Sequence, residues 1–130
     1  MRISPYGVFN GQVPDAEMDE LYLRLIDELN ALDLLYIHVV DHSAMGAPEV
    51  SPALKAKLRA RFKGQYILSG GYDVARADAD LDAQRGDLVA FGRPFISNPD
   101  LVSKLKQDQE LVAPDFSTFY TPGEKGYTDY

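Results

Sequence analysis

Four short stretches of this sequence hold the residues best suited to chemistry: Ser4-Pro5-Tyr6, Asp41-His42-Ser43, Ser69-Gly70-Gly71 and Gly92-Arg93. Two of them end an apolar run in glycine and are followed by a helix signal. Such turns let backbone N–H groups approach an anion closely, and the helix dipole adds to the attraction. Arg93 brings a permanent charge with a fork geometry that suits phosphate. The pattern predicts a phosphate site; the competing reading is tight turns with Arg93 paired to a surface carboxylate. His38 lies inside an apolar run and reads as a core or barrel-interior histidine before a catalytic one. His42 is better placed for a ligand. Its neighbours Asp41 and Ser43 do not make it a triad, because adjacent residues cannot normally form those hydrogen bonds. Two His, no Cys and no HExxH-like spacing give metal binding little support. The tail aromatics Phe116, Phe119, Tyr120, Tyr127 and Tyr130 could line a flat-ligand pocket or simply hold down an irregular terminus.

These stretches need elements to position them. Residues 15–31 read as a helix, with Met18, Leu21, Tyr22, Leu25, Leu29 and Leu32 on one stripe. Acidic residues at 15, 17, 19 and 20 suit its first turn. LLYIHVV at 34–40 reads as a strand buried on both faces. Ser51-Pro52 is a helix start, carrying Leu54, Leu58 and Phe62 inward and stopping near Gly64. The pattern repeats: a strand at 66–69, a helix capped by Asp73 and ended by Gly86, a strand at 88–91, and a helix begun by Asn98-Pro99. The residues from about 107 to 130 read as irregular and anchored by aromatics. Strands alternating with helices predict an α/β fold with a parallel sheet. In such folds ligands bind beyond the carboxyl ends of the strands, where the four stretches lie.

Composition sets the bounds. The 130 residues predict one domain spanning 1–130. Thirteen basic and twenty acidic residues give a net charge of −7, which repels nucleic acid. No apolar run of about 18 residues predicts a membrane span. The start MRISPYGVFN lacks the apolar core of a secretory signal, and no cysteine is present. A cytoplasmic protein is the simplest expectation. A complete eight-stranded α/β barrel typically needs about 250 residues, beyond this length.

The strand ends together carry a resemblance. RISPYG at 2–7, LYIHVVD at 35–41, ILSGGYD at 67–73, LVAFGRPFISNPDLVSKL at 88–105 and FYTPGEKGYTDY at 119–130 resemble the old yellow enzyme family over essentially the whole chain. FGRPFISNPDL is the most specific piece. These are FMN-dependent ene-reductases of the N-ethylmaleimide reductase type, folded as eight-stranded α/β barrels, with NADPH as hydride donor. The resemblance implies that Arg2 contacts the flavin pyrimidine edge, where a positive charge stabilises the anionic reduced flavin. It implies that Gly70 and Gly71, after the seventh strand, hold the FMN phosphate, and that Gly92 and Arg93, after the eighth, complete that site. Phe119 matches an aromatic bordering the flavin, and Tyr120 one bordering the substrate space.

The resemblance also implies what these residues lack. They match the carboxyl-terminal half of the barrel. The family's substrate-binding His pair, or His-Asn pair, and its proton-donating Tyr belong to earlier strands. His38 and His42 fall on the sixth strand and its loop, so they are not that pair. The expectation is a phosphate clamp without oxyanion donors or a general acid, and little reductase activity from this chain alone. A half barrel leaves Tyr36, His38, Val40, Ile67, Val89 and Phe91 on an unfilled inner face, with open sheet edges. Pairing of two copies, with roughly four strands each, would close it, so a homodimer or higher homo-oligomer is expected. The alternatives to a flavin-binding fragment are a non-catalytic assembly module and an inactive relic.

Overall fold

The computed structural model describes every residue from Met1 to Tyr130. The chain divides into two compact units, Met1–Ala90 and Phe91–Tyr130.

In the first unit, largely apolar residues form two five-residue strands, β2 (Tyr36–Val40) and β3 (Gln65–Ser69). They are flanked by the shorter β1 (Arg2–Ile3) and β4 (Leu88–Ala90). All neighbours pair in parallel, in the order β1-β2-β3-β4. Three helices alternate with them: α1 (Met18–Ala31), α2 (Pro52–Arg61) and α3 (Val74–Asp82). The α/β expectation therefore holds.

The register defines the two faces of the sheet. Ile3, Val39, Leu68 and Val89 form one row across it, with Ile37 beside Tyr66 on the same side. These residues join Ile26 and Leu29 of α1, Leu54 and Leu58 of α2, and Phe62 in the core. Full burial of a side chain such as Ile26 or Leu54 contributes about 1.5–3 kcal/mol. The opposite face carries Arg2, His38, Ile67 and Leu88 in one row and Val40, Ser69 and Ala90 in the next.

Several expectations need correction. Val89 pairs with Leu68, so it belongs to the helix-covered face and not the inner one. Phe91 falls beyond the end of β4. β2 is not buried on both faces along its whole length: on the side away from α1 and α2, Tyr36 is 45% exposed at the start of the strand, while Val40 at its end is 3% exposed. On α1 Leu21 is 59% exposed, and Leu32 just past its end is 69% exposed, while Ile26 is fully buried. The inward stripe runs through Tyr22, Ile26 and Leu29, and the helical period puts Leu21 and Leu32 at its flank.

Both expected caps form. Ser51 Oγ accepts from Leu54 N at 3.1 Å, with Pro52 opening α2. Asp73 Oδ1 accepts from Arg76 N at 2.8 Å and opens α3.

The second unit holds α4 (Arg93–Ser97), α5 (Leu101–Lys106) and an irregular tail. Asn98 does not cap α5, which starts after Asp100. It is fully buried and serves as a hub. Its Nδ2 donates to Pro94 O and Val112 O, each at 2.9 Å. Its Oδ1 accepts from Val112 N and Lys104 Nζ, each at 2.9 Å. Asn98→Ala strands several of these groups and is expected to cost about 1–3 kcal/mol. Amide hydrogen exchange should show the loss around residues 98 and 112. The tail is not anchored by its aromatics. Its buried residues are Thr118 and Gly126, while Tyr120 is 97% exposed.

Candidate functional site

The carboxyl ends of β1, β2 and β3 bring three of the four stretches into the first unit. At the end of β1, Ser4 Oγ shares a hydrogen bond of 3.2 Å with Nε2 of His42, which follows β2. At the end of β2, Asp41 is 6% exposed. Its Oδ1 accepts from Ser43 N at 2.9 Å, and its Oδ2 pairs with Lys55 Nζ at 2.5 Å. Burial pushes the Asp41 carboxyl up, but the Lys55 ammonium and the Ser43 donors outweigh it and hold the carboxyl below its ordinary value. Asp41 is thus a structural carboxylate tying β2 to α2.

After β3 the chain turns through Gly70 and Gly71, at φ +126° and +63°, a region that favours glycine. A Cβ on Gly70 would stand 2.1 Å from Asp41 O, and one on Gly71 would stand 2.7 Å from Ala44 Cβ. The N–H groups of Gly70, Gly71 and Tyr72 donate to no acceptor within Met1–Ala90. Consecutive uncommitted N–H groups just before the nine-residue helix α3 are donors of the kind that anions take up.

Arg2 is exposed and stands in register with His38 on the face of the sheet opposite the core. Burial, with the Arg2 charge adding to it, pulls His38 below its ordinary value of 6.5, so it stays neutral at pH 7.

The remaining candidates lie in the second unit. Gly92 has an ordinary φ of −109°, and no atom of its own unit lies within 4 Å of where its Cβ would stand. Arg93 is exposed and forms no ion pair within Phe91–Tyr130. Phe119 packs against Phe116, ring centres 5.0 Å apart, and stands edge-on to Tyr120 at 6.4 Å. No group of three His, Asp or Glu residues is placed to hold a metal ion.

Sequence reasoning missed Arg76, Tyr72 and Asp80. Arg76 Nη1 donates to Gly70 O at 3.0 Å and to Gly71 O at 3.4 Å. Tyr72 OH donates to Asp80 Oδ2 at 2.7 Å, and Arg85 Nη1 donates to Asp80 Oδ1 at 2.6 Å. Burial raises the Asp80 carboxyl, but these donors outweigh it and hold it below the ordinary range. An arginine one turn into a helix that follows a glycine turn is the signal that could have found Arg76.

The pH dependence follows in two stages. His38 has a folded pKa below its unfolded 6.5, so its contribution is present above pH 6.5 and lost as pH falls through the folded value. Asp41 and Asp80 are depressed from 3.8, so theirs is present above pH 3.8 and lost below it. Urea midpoints should therefore decline first below pH 6.5 and then more steeply below pH 3.8. The first decline should vanish in His38→Asn.

Four parallel strands alternating with helices define a parallel α/β protein as the class. Residues 1–111 match the NADH:flavin oxidoreductase / NADH oxidase family, and the chain belongs to that family. It is 37% identical over 138 residues to chanoclavine-I aldehyde reductase of Penicillium roqueforti, covering 100% of this chain and 37% of the relative. It is 32% identical over 133 residues to 12-oxophytodienoate reductase 2 of Arabidopsis thaliana, covering 100% and 35%. Among solved structures it superposes on morphinone reductase with a TM-score of 0.92 at 40% identity, covering 99% of this chain and 34% of that one. For the old yellow enzyme homologue of Zymomonas mobilis the TM-score is 0.90 at 32% identity, covering 99% and 37%. The old yellow enzyme resemblance is thus borne out. The chain spans between 34% and 37% of the length of these relatives, and its four parallel strands correspond to part of the barrel of the old yellow enzyme structures. No helix is long and apolar enough to cross a membrane.

The family binds FMN, and the backbone of the Gly70–Tyr72 turn fits the phosphate end of that cofactor. The Gly70–Tyr72 segment offers N–H donors without a protein acceptor, which a phosphate monoester can take up. Arg93 offers a charge unpaired within its own unit.

Proposed function

We propose that this chain holds FMN by its phosphate end, through the backbone of Gly70 and Gly71; the family resemblance assigns Gly92 and Arg93 to the same phosphate. The observation that carries this is the glycine turn after β3, with its N–H groups uncommitted to any acceptor of Met1–Ala90. Arg2 is assigned to the flavin pyrimidine edge, Phe119 to the flavin border and Tyr120 to the substrate space. Bound FMN would supply hydride transfer chemistry, with NADPH as the family's hydride donor. The chain's own residues bind the phosphate and place a positive charge near the ring.

As a 130-residue polypeptide, it is expected to bind FMN but consume little or no NADPH with an α,β-unsaturated carbonyl. The groups that the resemblance assigns to oxyanion binding and proton donation match no position here. A yellow protein absorbing at roughly 450 nm supports the reading; a colourless one that takes up no FMN on titration defeats it. Arg93→Ala should weaken FMN binding about tenfold, and unchanged affinity removes Arg93 from the site.

A second reading, an assembly module, draws on the sheet face carrying His38, Ile67 and Leu88, where Tyr36 and Leu88 are exposed. Isologous pairing of two copies would cover it. Light scattering after size exclusion decides this, and a stable monomer sinks it. A cytoplasmic location belongs to the same proposal and is checked by cell fractionation.

A further inference from the structure

We infer that Arg76 is the positioning residue of the Gly70–Gly71 turn, fixing its peptide planes so that the N–H groups of Gly71 and Tyr72 face a phosphate monoester together. The inference rests on the reading of that turn as the FMN phosphate site.

The geometry starts from the planar trans peptide, in which C=O and the following N–H point in opposite directions. Arg76 Nη1 holds the carbonyl oxygens of both Gly70 and Gly71, at 3.0 and 3.4 Å. The N–H groups of the two peptides that follow those carbonyls, on Gly71 and Tyr72, are thereby turned to the opposite side. Neither donates to an acceptor in the first unit. A glycine turn left to itself could flip either peptide and present a carbonyl oxygen, which repels an anion. The arginine blocks that flip by giving both oxygens a charged donor.

Arg76 is itself held in place. Its guanidinium lies 4.1 Å from the centre of the Tyr72 ring, a favourable cation–π distance. The Tyr72 hydroxyl is fixed by Asp80 at 2.7 Å, and Asp80 by Arg85 at 2.6 Å. The Asp73 cap receives the backbone N–H of Arg76 at 2.8 Å, so the first turn of α3 starts from the same loop. Arg85, Asp80, Tyr72 and Arg76 form one strut from the end of α3 back to the two glycine carbonyls. None of these side chains needs to touch the phosphate.

The test compares FMN with riboflavin, which lacks the phosphate, by flavin fluorescence titration of the full chain. The unmodified chain should bind FMN more tightly than riboflavin. Arg76→Gln should reduce that preference about tenfold while riboflavin affinity stays within about twofold. Tyr72→Leu, which leaves every charge in place, should reduce it in the same direction. Independently, the amide signals of Gly71 and Tyr72 in the unmodified chain should shift on addition of inorganic phosphate. If the unmodified chain shows no preference for FMN, the phosphate reading fails and takes the inference with it. If the preference exists and survives Arg76→Gln, the inference alone is overturned. If Arg76→Gln lowers the preference but Tyr72→Leu does not, Arg76 acts as a free charge and positioning is overturned. Phosphate that moves neither amide signal overturns it as well.

Discussion

Replacing Lys55 with Met should lower the unfolding free energy by about 3–5 kcal/mol. Asp41 is 6% exposed, and its Oδ2 has the Lys55 ammonium at 2.5 Å. Removing the ammonium leaves a carboxylate inside the protein with only the Ser43 donors, its N–H at 2.9 Å among them, to offset its lost hydration. Breaking one side of a buried pair is far costlier than removing a surface pair, worth about 0–1 kcal/mol. Methionine keeps the length and apolar stem of lysine, so the loss reports the charge and not a cavity. Adding Asp41→Asn to Lys55→Met should recover most of the loss, because a neutral amide can still accept from Ser43 N and needs no counter-ion. Urea unfolding followed by circular dichroism measures both. A loss below about 1 kcal/mol for Lys55→Met would mean that Asp41 behaves as a surface carboxylate.

The parts of the fold legible in the sequence are those set by local chemistry. Ser51-Pro52 and Asp73 announce their helices because a side-chain oxygen must meet an uncommitted N–H, and both bonds form. The strand cores at 36–40 and 65–69 are legible from their apolar, β-branched content. Residues whose role depends on distant partners were misread. Val89 looked like an inner-face residue, but its side is set by its register with Leu68, which no local pattern encodes. Asn98-Pro99 looked like a helix start, yet Asn98 spends its hydrogen bonds on Val112, fourteen residues on. Gly86 looked like a helix stop, but Gln84 takes the positive φ of +56° after α3. Gly86 is small for another reason: a Cβ there would stand 2.6 Å from Leu68 Cγ. At the candidate site the glycines were legible because glycine is the residue a left-handed turn demands. Arg76 was not, because an exposed helical arginine looks the same whether it meets solvent or two carbonyls.

Gly70→Ala and Gly92→Ala should separate what the fold requires from what a ligand requires. At Gly70 the φ of +126° is strained for any side chain, a cost of about 1–3 kcal/mol. A Cβ would also stand 2.1 Å from Asp41 O. The carbonyl oxygen is backbone and is tied to the end of β2, so it cannot yield cheaply; overpacking adds about 1–3 kcal/mol. The combined expectation is a loss of about 2–6 kcal/mol, read as a fall in the urea midpoint of the sheet unit. Gly92 is the opposite case. Its φ is −109°, and nothing in its own unit lies within 4 Å of the Cβ position. Alanine there should change stability by no more than about 0.5 kcal/mol. If a phosphate approaches the Gly92 backbone, the same methyl group should still weaken FMN binding while leaving riboflavin binding alone. A Gly92→Ala chain that keeps both its stability and its FMN affinity would take Gly92 out of the cofactor site. A Gly70→Ala chain as stable as the original would mean that the turn is free to move, and a turn free to move cannot hold N–H groups in place for a phosphate.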